Sequence, residues 1–360
     1  MLVFNINKLM IGFFIPIAFL VWLFIYRNRI HPYSHVESGK YIYLWIVIGI
    51  FLTLFVSLRS TQVGIDTRNF GDIFDMIQNS GPIHDSCTLR YCAYFSGGNQ
   101  VGQLETGYWL LNYFVGRLGG NYHVVLFIQG IVAVVPVIYF ISKESDSPLM
   151  ALYLYFFTSM YFWTFSAIRQ SMAMGISILS FLAIEKKKPI LGIVLLICAF
   201  SFHQSAIICA VYLFFRYLKI DKKTIIAFII FIVAGVVAKQ PLVSAAEKFA
   251  RIVYSEFNTY GTKYLIVLIS IAVLGFIKRE KIKEPGEKMM FFCSFFFPLV
   301  YYIISINATY LRVIWYYYIL LPVYLPNCLE KIDRKSLRIA GYIIYALLFL
   351  YRAYGIQRGA

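Results

Sequence analysis

The sequence predicts an all-α polytopic membrane protein with about twelve transmembrane helices, ten at the fewest. Three observations carry that prediction. Of 360 residues, 60% are hydrophobic and 14% charged, where a soluble domain has about 45–50% and about 25%. The apolar residues come in blocks approaching the ~20 residues that a helix needs to cross a bilayer. These blocks are nearly uninterrupted, without the ~10-residue alternating segments of an outer-membrane β-barrel. A soluble enzyme and a disordered chain are excluded on the same grounds.

Taken in order, the apolar segments are 9–26, 41–58, 121–141, 148–165, 168–184, 189–202, 204–215, 224–238, 263–277, 289–306, 313–328 and 337–351. The first shows no removable signal peptide, because Met10 to Tyr26 is long enough to remain as a span. The pair 189–202 and 204–215 is short and reads either as two spans or as a hairpin that does not cross fully. Residues 1–360 read as a single integral-membrane domain. Its large outer loop is 59–120 and a second outer loop is 239–262.

The net charge of +16 would suggest nucleic acid in a soluble protein. Here it reads as Lys and Arg collected in cytoplasmic loops, and no nucleic-acid partner is expected. If loop 27–40 is cytoplasmic, so are 142–147, 185–188, 216–223, 278–288 and 329–336. With Arg338, that side holds 20 of the 33 basic residues, 14 Lys and 6 Arg, against 4 Lys and 9 Arg outside. Bidentate phosphate recognition favours Arg over Lys, whereas topology signals do not. An Arg-rich outer face therefore points to an anionic ligand there.

Loop 59–120 has structure of its own. Asp66-Thr67 reads as a helix cap, and Phe70, Ile73, Phe74 and Ile77 follow on one stripe, as in a helix lying on the membrane surface. A second such helix is expected near 104–118 from Leu104, Tyr108, Leu111 and Val115. Ser96-Gly97-Gly98-Asn99 is a turn between them. Cys87 and Cys92 share this loop and can pair in an oxidising compartment. Cys198, Cys209, Cys293 and Cys328 lie in apolar blocks and read as buried small hydrophobes.

No Walker A loop, GxGxxG, HExxH or CxxC is present, so neither ATP hydrolysis nor a protein-built metal site is expected. No cofactor is expected either. The chemistry-bearing residues lie instead at outer membrane ends. Arg59 follows the second span and reads as a headgroup anchor or an anion ligand. Gly64-Ile65-Asp66-Thr67 reads as a turn and cap, or as part of a site. Arg169 and Gln170 open the fifth span beside a small polar face of Ser166, Ala173, Ser177 and Ser180. That face suits close helix packing or a wet cavity. A charge near membrane depth needs a partner, and no acid lies within one helical turn of Arg169. His203 stands between two apolar runs, as a structural residue or a base. Arg312 opens the eleventh span, and Glu105 precedes the second amphipathic helix. Tyr91, Tyr94, Phe95, Tyr108, Trp109, Tyr113 and Tyr122 read as an interfacial belt or as sugar-stacking rings.

These patches, in this order, resemble the EpsG-like branch of the Wzy polysaccharide polymerases. The matching residues are Leu58-Arg59 with Val63-Gly64-Ile65-Asp66-Thr67, Ile168-Arg169-Gln170 with Ala173, Phe202-His203-Gln204-Ser205-Ala206, and Leu311-Arg312 with Tyr316-Tyr317-Tyr318. Loop 80–103 is longer than the pattern, which bears on acceptor identity. The resemblance implies a GT-C-like membrane architecture in a bacterial cytoplasmic (inner) membrane, with the active site on the outer, periplasmic side. It implies a metal-independent glycosyltransferase, an O-antigen, capsule or exopolysaccharide polymerase. Such an enzyme moves a growing glycan from undecaprenyl pyrophosphate to a sugar hydroxyl of a lipid-linked repeat unit. Donor and acceptor are then both undecaprenyl-pyrophosphate-linked glycans in the lipid bilayer, and a chain-length regulator protein is a further partner. Arg59, Arg169, Arg312 and Gln170 would bind the pyrophosphate. His203 would take the hydroxyl proton, with Asp66 and Glu105 as the other candidates. The competing readings are a flippase for lipid-linked oligosaccharide, another GT-C glycosyltransferase and a membrane O-acyltransferase.

Overall fold

The computed structural model describes residues 42–79, 87–88, 90–250, 262–304 and 312–358. The expected first span, 9–26, lies outside the described residues.

The chain is mostly helical. α1 (Ile42–Ser57) is apolar on all sides and packs along α4 (Tyr122–Glu144). α7 (Ile168–Glu185) lies between α4 and α8 (Pro189–Phe202) and is buried along most of its length. α4 and α13 (Pro285–Ile304) are each long and apolar enough to cross a bilayer. α10 (Lys222–Val237) makes a third if its bend of 76° into α11 (Lys239–Ala250) falls within one span. α12 (Thr262–Ile277) packs on α13, and α16 (Lys335–Arg358) closes the described chain. Ile46, Val47, Ile190, Val194, Ile230 and Leu347 stand exposed on outward helix faces. Isolated exposed apolar residues are ordinary, but whole helix faces of them are not, and lipid is the solvent that suits them.

Two expected spans are not single helices. Segment 148–165 breaks into α5 (Pro148–Phe157) and the one-turn α6 (Met160–Trp163), with Ser159 between them at φ 66°. Segment 313–328 breaks into α14 (Trp315–Tyr318) and α15 (Leu321–Glu330). Both breaks lie inside the protein, among buried Tyr155, Tyr161, Tyr317 and Leu320. Irregular backbone at membrane depth is tolerated where protein covers it. Segment 189–202 is α8, and segment 204–215 continues past His203 as a 3-10 turn, Gln204–Ala210, and α9 (Val211–Phe215).

Loop 59–120 departs from all-α. After α2 (Thr67–Gln78), β1 (Tyr91–Ser96) pairs antiparallel with β2 (Asn99–Glu105) about the expected Ser96–Asn99 turn. α3 (Thr106–Arg117) follows. The apolar stripe of α2 is as expected, but it does not rest on lipid. Phe70, Ile73, Phe74 and Ile77 bury against Tyr108, Val115 and Tyr122 of α3 and α4. On α3 the buried face is Tyr108, Trp109, Asn112 and Val115, turned from the expected stripe of Leu104, Tyr108, Leu111 and Val115. Asn112 Nδ2 donates to Tyr108 O at 2.7 Å within the helix, and the Asn112 backbone carbonyl accepts from Gln78 Nε2 at 3.0 Å. Cys87 and Cys92 are disulfide-bonded. Cys209, Cys293 and Cys328 are buried, whereas Cys198 is exposed on the outward face of α8.

The basic loops meet at one end of the bundle. There Lys331 pairs with Glu287 and with Asp146 (3.5 Å), Asn327 Nδ2 donates to Glu144 O at 2.7 Å, and Arg216 Nε donates to Glu185 O at 3.1 Å. α7 runs from Ile168 at the opposite end to Glu185 here, and α8 returns, so that His203 comes back beside Arg169.

Candidate active site

Five segments distant in sequence meet at that opposite end. The first is the turn after α1. Gly64 holds φ +99°, and a Cβ there would lie 1.8 Å from Phe165 O. Only glycine fits both the conformation and the approach. The turn docks on the α6–α7 link: Ile65 N donates to Ser166 Oγ at 3.3 Å, and Thr67 Oγ1 to Phe165 O at 3.0 Å. Asp66 occupies the helix-cap position without making the expected cap bond. Its half-buried carboxyl faces the cations instead. Burial raises its pKa above the ordinary value, while Arg312 and Arg169 oppose the rise.

Arg169, the second residue of α7, lies over the Phe70 ring at 5.1 Å and is ion-paired with Glu105. The sequence shows no acid within a helical turn and leaves a pyrophosphate as the partner. In the structure an acid also reaches it, from the end of β2. Glu105 is only 5% exposed. It is held there because α3 approaches α8 at Gly107, where a Cβ would lie 2.3 Å from Ser201 Oγ and 2.9 Å from the Ser201 backbone.

Arg59 is neither an exposed anchor nor an open ligand. It is 6% exposed, lies over Phe165 at 5.6 Å, and donates through Nη1 to Val56 O (2.6 Å) and Gln129 Oε1 (3.0 Å). Gln129 Nε2 then donates to Thr164 O (2.9 Å) and Ser171 Oγ (3.0 Å), and Ser171 Oγ to Ile168 O (2.8 Å). Arg59 is thus linked to the residue preceding Arg169. Its Nε and Nη2 are buried with no hydrogen-bond partner among the described residues, and burial lowers its pKa to about 10, which leaves it a cation at neutral pH. Gln170 is similarly engaged: Nε2 donates to Arg312 O at 2.8 Å, while its Oε1 is buried and unpartnered. Gln129 carries no motif, and its one signal is a polar side chain within an apolar span. The polar face of α7 is packing over its inner half, where Ser177 donates to Ala173 O and Ser180 to Gly192 O, both at 2.8 Å.

His203 ends α8. Its Nδ1 lies 2.6 Å from Ser205 Oγ, which donates to Tyr316 Oη at 3.2 Å. With that donation, the 2.6 Å contact fits the tautomer protonated on Nδ1, with Nε2 as the acceptor. The Ser205 N–H, which donates to Nδ1 at 3.4 Å, fits the other tautomer. Burial, then Arg169 and Arg312, push the His203 pKa down to about 3. Burial first, and then the two guanidiniums, hold it neutral, below the near-neutral titration expected from an ordinary imidazole. Arg312 is exposed and lies 5.7 Å from the Trp315 ring, which stacks on Trp163 at 4.5 Å. Arg90, which the sequence did not single out, hydrogen-bonds Gln204 from the hairpin side. Tyr108, Trp109 and Tyr122 are buried core, not stacking surfaces.

Apolar helices with outward-facing aliphatic residues, and a cluster of arginines, carboxylates and a histidine gathered at one end, define a membrane protein with a charged polar cluster at a bundle end. The chain belongs to the EpsG family, which matches residues 42–357, a membrane-associated family of polysaccharide biosynthesis. No curated protein and no solved structure matches the chain.

Proposed function

We propose that the protein is a polysaccharide polymerase. It transfers a growing glycan from undecaprenyl pyrophosphate to a sugar hydroxyl of the next lipid-linked repeat unit, on the outer side of the bacterial cytoplasmic membrane. The observation that carries this reading is the gathering of Arg169, Arg312, Asp66, Glu105 and His203 at the bundle end opposite the lysine-rich loops.

In the transfer, the acceptor oxygen bonds the anomeric carbon and its proton passes to His203 Nε2. The anomeric C–O bond to the diphosphate breaks, and its electron pair leaves with the diphosphate. Charge grows on that leaving group, and preorganised cations stabilise it best where water is excluded. Arg169 and Arg312 supply them in this metal-independent reading. Glu105 holds Arg169 in place until the diphosphate competes for the guanidinium fork. The same anion would offset the two charges that depress His203, raising its basicity when the donor is bound. Arg59 and Gln170 act from behind by fixing the start of α7 and the Arg312 backbone. Asp66, with its raised pKa, is the alternative proton acceptor.

The test is the lipid-linked glycan profile of cells lacking the gene. A polymerase mutant accumulates single repeat units on the outer side. A flippase mutant traps them inside and an acyltransferase mutant still makes long chains, and either result would refute the reading.

A further inference from the structure

The hairpin that carries Glu105 bears a second kind of recognition surface. Tyr91 and Glu105 are direct cross-strand partners in β1–β2, so their side chains stand on one face of the hairpin. Glu105 on that face meets Arg169. Beside it, the Arg90 guanidinium lies 5.3 Å over the Tyr91 ring and hydrogen-bonds Gln204, the residue after His203. Backbone bonds fix this corner: Thr106 N donates to Arg90 O at 3.2 Å, and Thr88 N to Tyr91 O at 2.8 Å. The Cys87–Cys92 disulfide closes the same loop.

Most aromatic rings of the outer loop are spent on packing. Tyr108 and Trp109 are fully buried, Trp109 Nε1 donates to Ala93 O at 2.9 Å, and Tyr113 stacks on Trp109 at 5.1 Å. Tyr91 is part-exposed and lies under the Arg90 guanidinium that bonds Gln204 beside His203.

We propose that Tyr91 and Arg90 form the acceptor-sugar subsite. The apolar face of a pyranose ring rests against the tyrosine, and the guanidinium donates to its ring substituents. This inference rests on the polymerase reading. An aromatic ring supplies a flat apolar surface at little conformational cost, and a planar multi-donor guanidinium beside it suits a ligand edged with hydroxyl or carboxylate oxygens. The subsite adjoins Gln204 and His203, so a sugar seated there presents a hydroxyl to the proposed base. The diphosphate of the donor belongs to Arg169 and Arg312, so acceptor and donor binding are separable.

The experiment uses the full chain in nanodiscs. The acceptor is lipid-linked single repeat units extracted from cells lacking the gene, and the donor is extended lipid-linked chains from wild-type cells. Initial extension rates are measured against acceptor at fixed donor, and against donor at fixed acceptor. Tyr91→Ala should raise the acceptor KM about tenfold, the factor from an aromatic contact of ~1.4 kcal/mol, with donor KM and kcat within about threefold. Tyr91→Trp should stay near wild type, which shows that the hairpin still folds. Arg90→Ala should raise the acceptor KM in the same way. An unchanged acceptor KM in Tyr91→Ala, or equal rises for both substrates, overturns the subsite and leaves the polymerase reading intact. A wild-type protein that extends nothing overturns both.

Discussion

Arg59 Nη1 donates to Gln129 Oε1 at 3.0 Å, joining the turn after α1 to the middle of the hydrogen-bonded chain that fixes the start of α7. A buried guanidinium is costly to strand, and a hydrogen bond to a charged group contributes about 1.5–3 kcal/mol. Gln129→Leu fills the space and removes the acceptor. It is expected to lower stability by about that amount and to reduce chain extension by displacing Arg169. Ser171→Ala removes only a neutral link and should cost about 0.5–1.5 kcal/mol. Thermal unfolding in detergent checks both, and equal midpoints for Gln129→Leu and wild type would refute the linkage.

Gly64 presses on Phe165 O. Gly64→Ala meets the carbonyl and also the cost of a left-handed conformation, about 1–2 kcal/mol. The turn must lift, which carries Asp66 away from Arg169 and Arg312. Activity should fall at least tenfold at matched protein level. Gly97→Ala is the control. It has φ +59° at the hairpin tip but nothing within 4 Å of the added carbon, so only the conformational cost applies. A Gly64→Ala protein as active as Gly97→Ala would separate the turn from the site.

The depressed pKa of His203 has a signed consequence. The folded chain keeps the imidazole neutral down to about 3, where its ordinary value is 6.5. Its contribution is therefore complete above pH 6.5 and is lost as the unfolded chain takes up a proton below it, by up to about 2 kcal/mol at pH 5. Wild-type thermal midpoints should fall between pH 7 and pH 5, and those of His203→Gln should fall less. Parallel slopes would show that His203 is not held neutral by the fold.

Much of this site is legible in the sequence because its residues lie at helix ends, where apolar runs stop and a polar side chain stands out. Arg169, His203 and Arg312 are found that way, and Asp66 follows from the stripe of α2. The Glu105–Arg169 pair is not legible, since its members are 64 positions apart and no periodicity relates them. Gln129 is hidden inside an apolar span for the same reason. The break at Ser159 is held by local bonds, Ser159 N to Phe156 O at 2.8 Å among them, but with no Gly or Pro there it leaves no turn signal inside the aromatic run. The Tyr91–Glu105 hairpin follows a turn that could be read, but its strands alternate too weakly to be seen.

Arg169 tests the phosphate role against simple charge. Lysine keeps the charge and its attraction to Glu105 but loses the two-pronged fork. Arg169→Lys should therefore extend chains about 30-fold or more slowly than wild type, the lower bound for losing a buried charge-assisted contact of ~2 kcal/mol. A normal glycan ladder from Arg169→Lys cells at matched protein level would assign Arg169 to structure alone.

The central claim is that this cluster performs chain transfer with His203 as the proton acceptor. The most direct measurement is extension of lipid-linked repeat units by the purified full chain, comparing wild type with His203→Gln at equal folded concentration. Wild type should give a ladder of lengthened chains, and His203→Gln a rate about 10²–10⁴ lower. A His203→Gln protein that builds the wild-type ladder at the wild-type rate would contradict it.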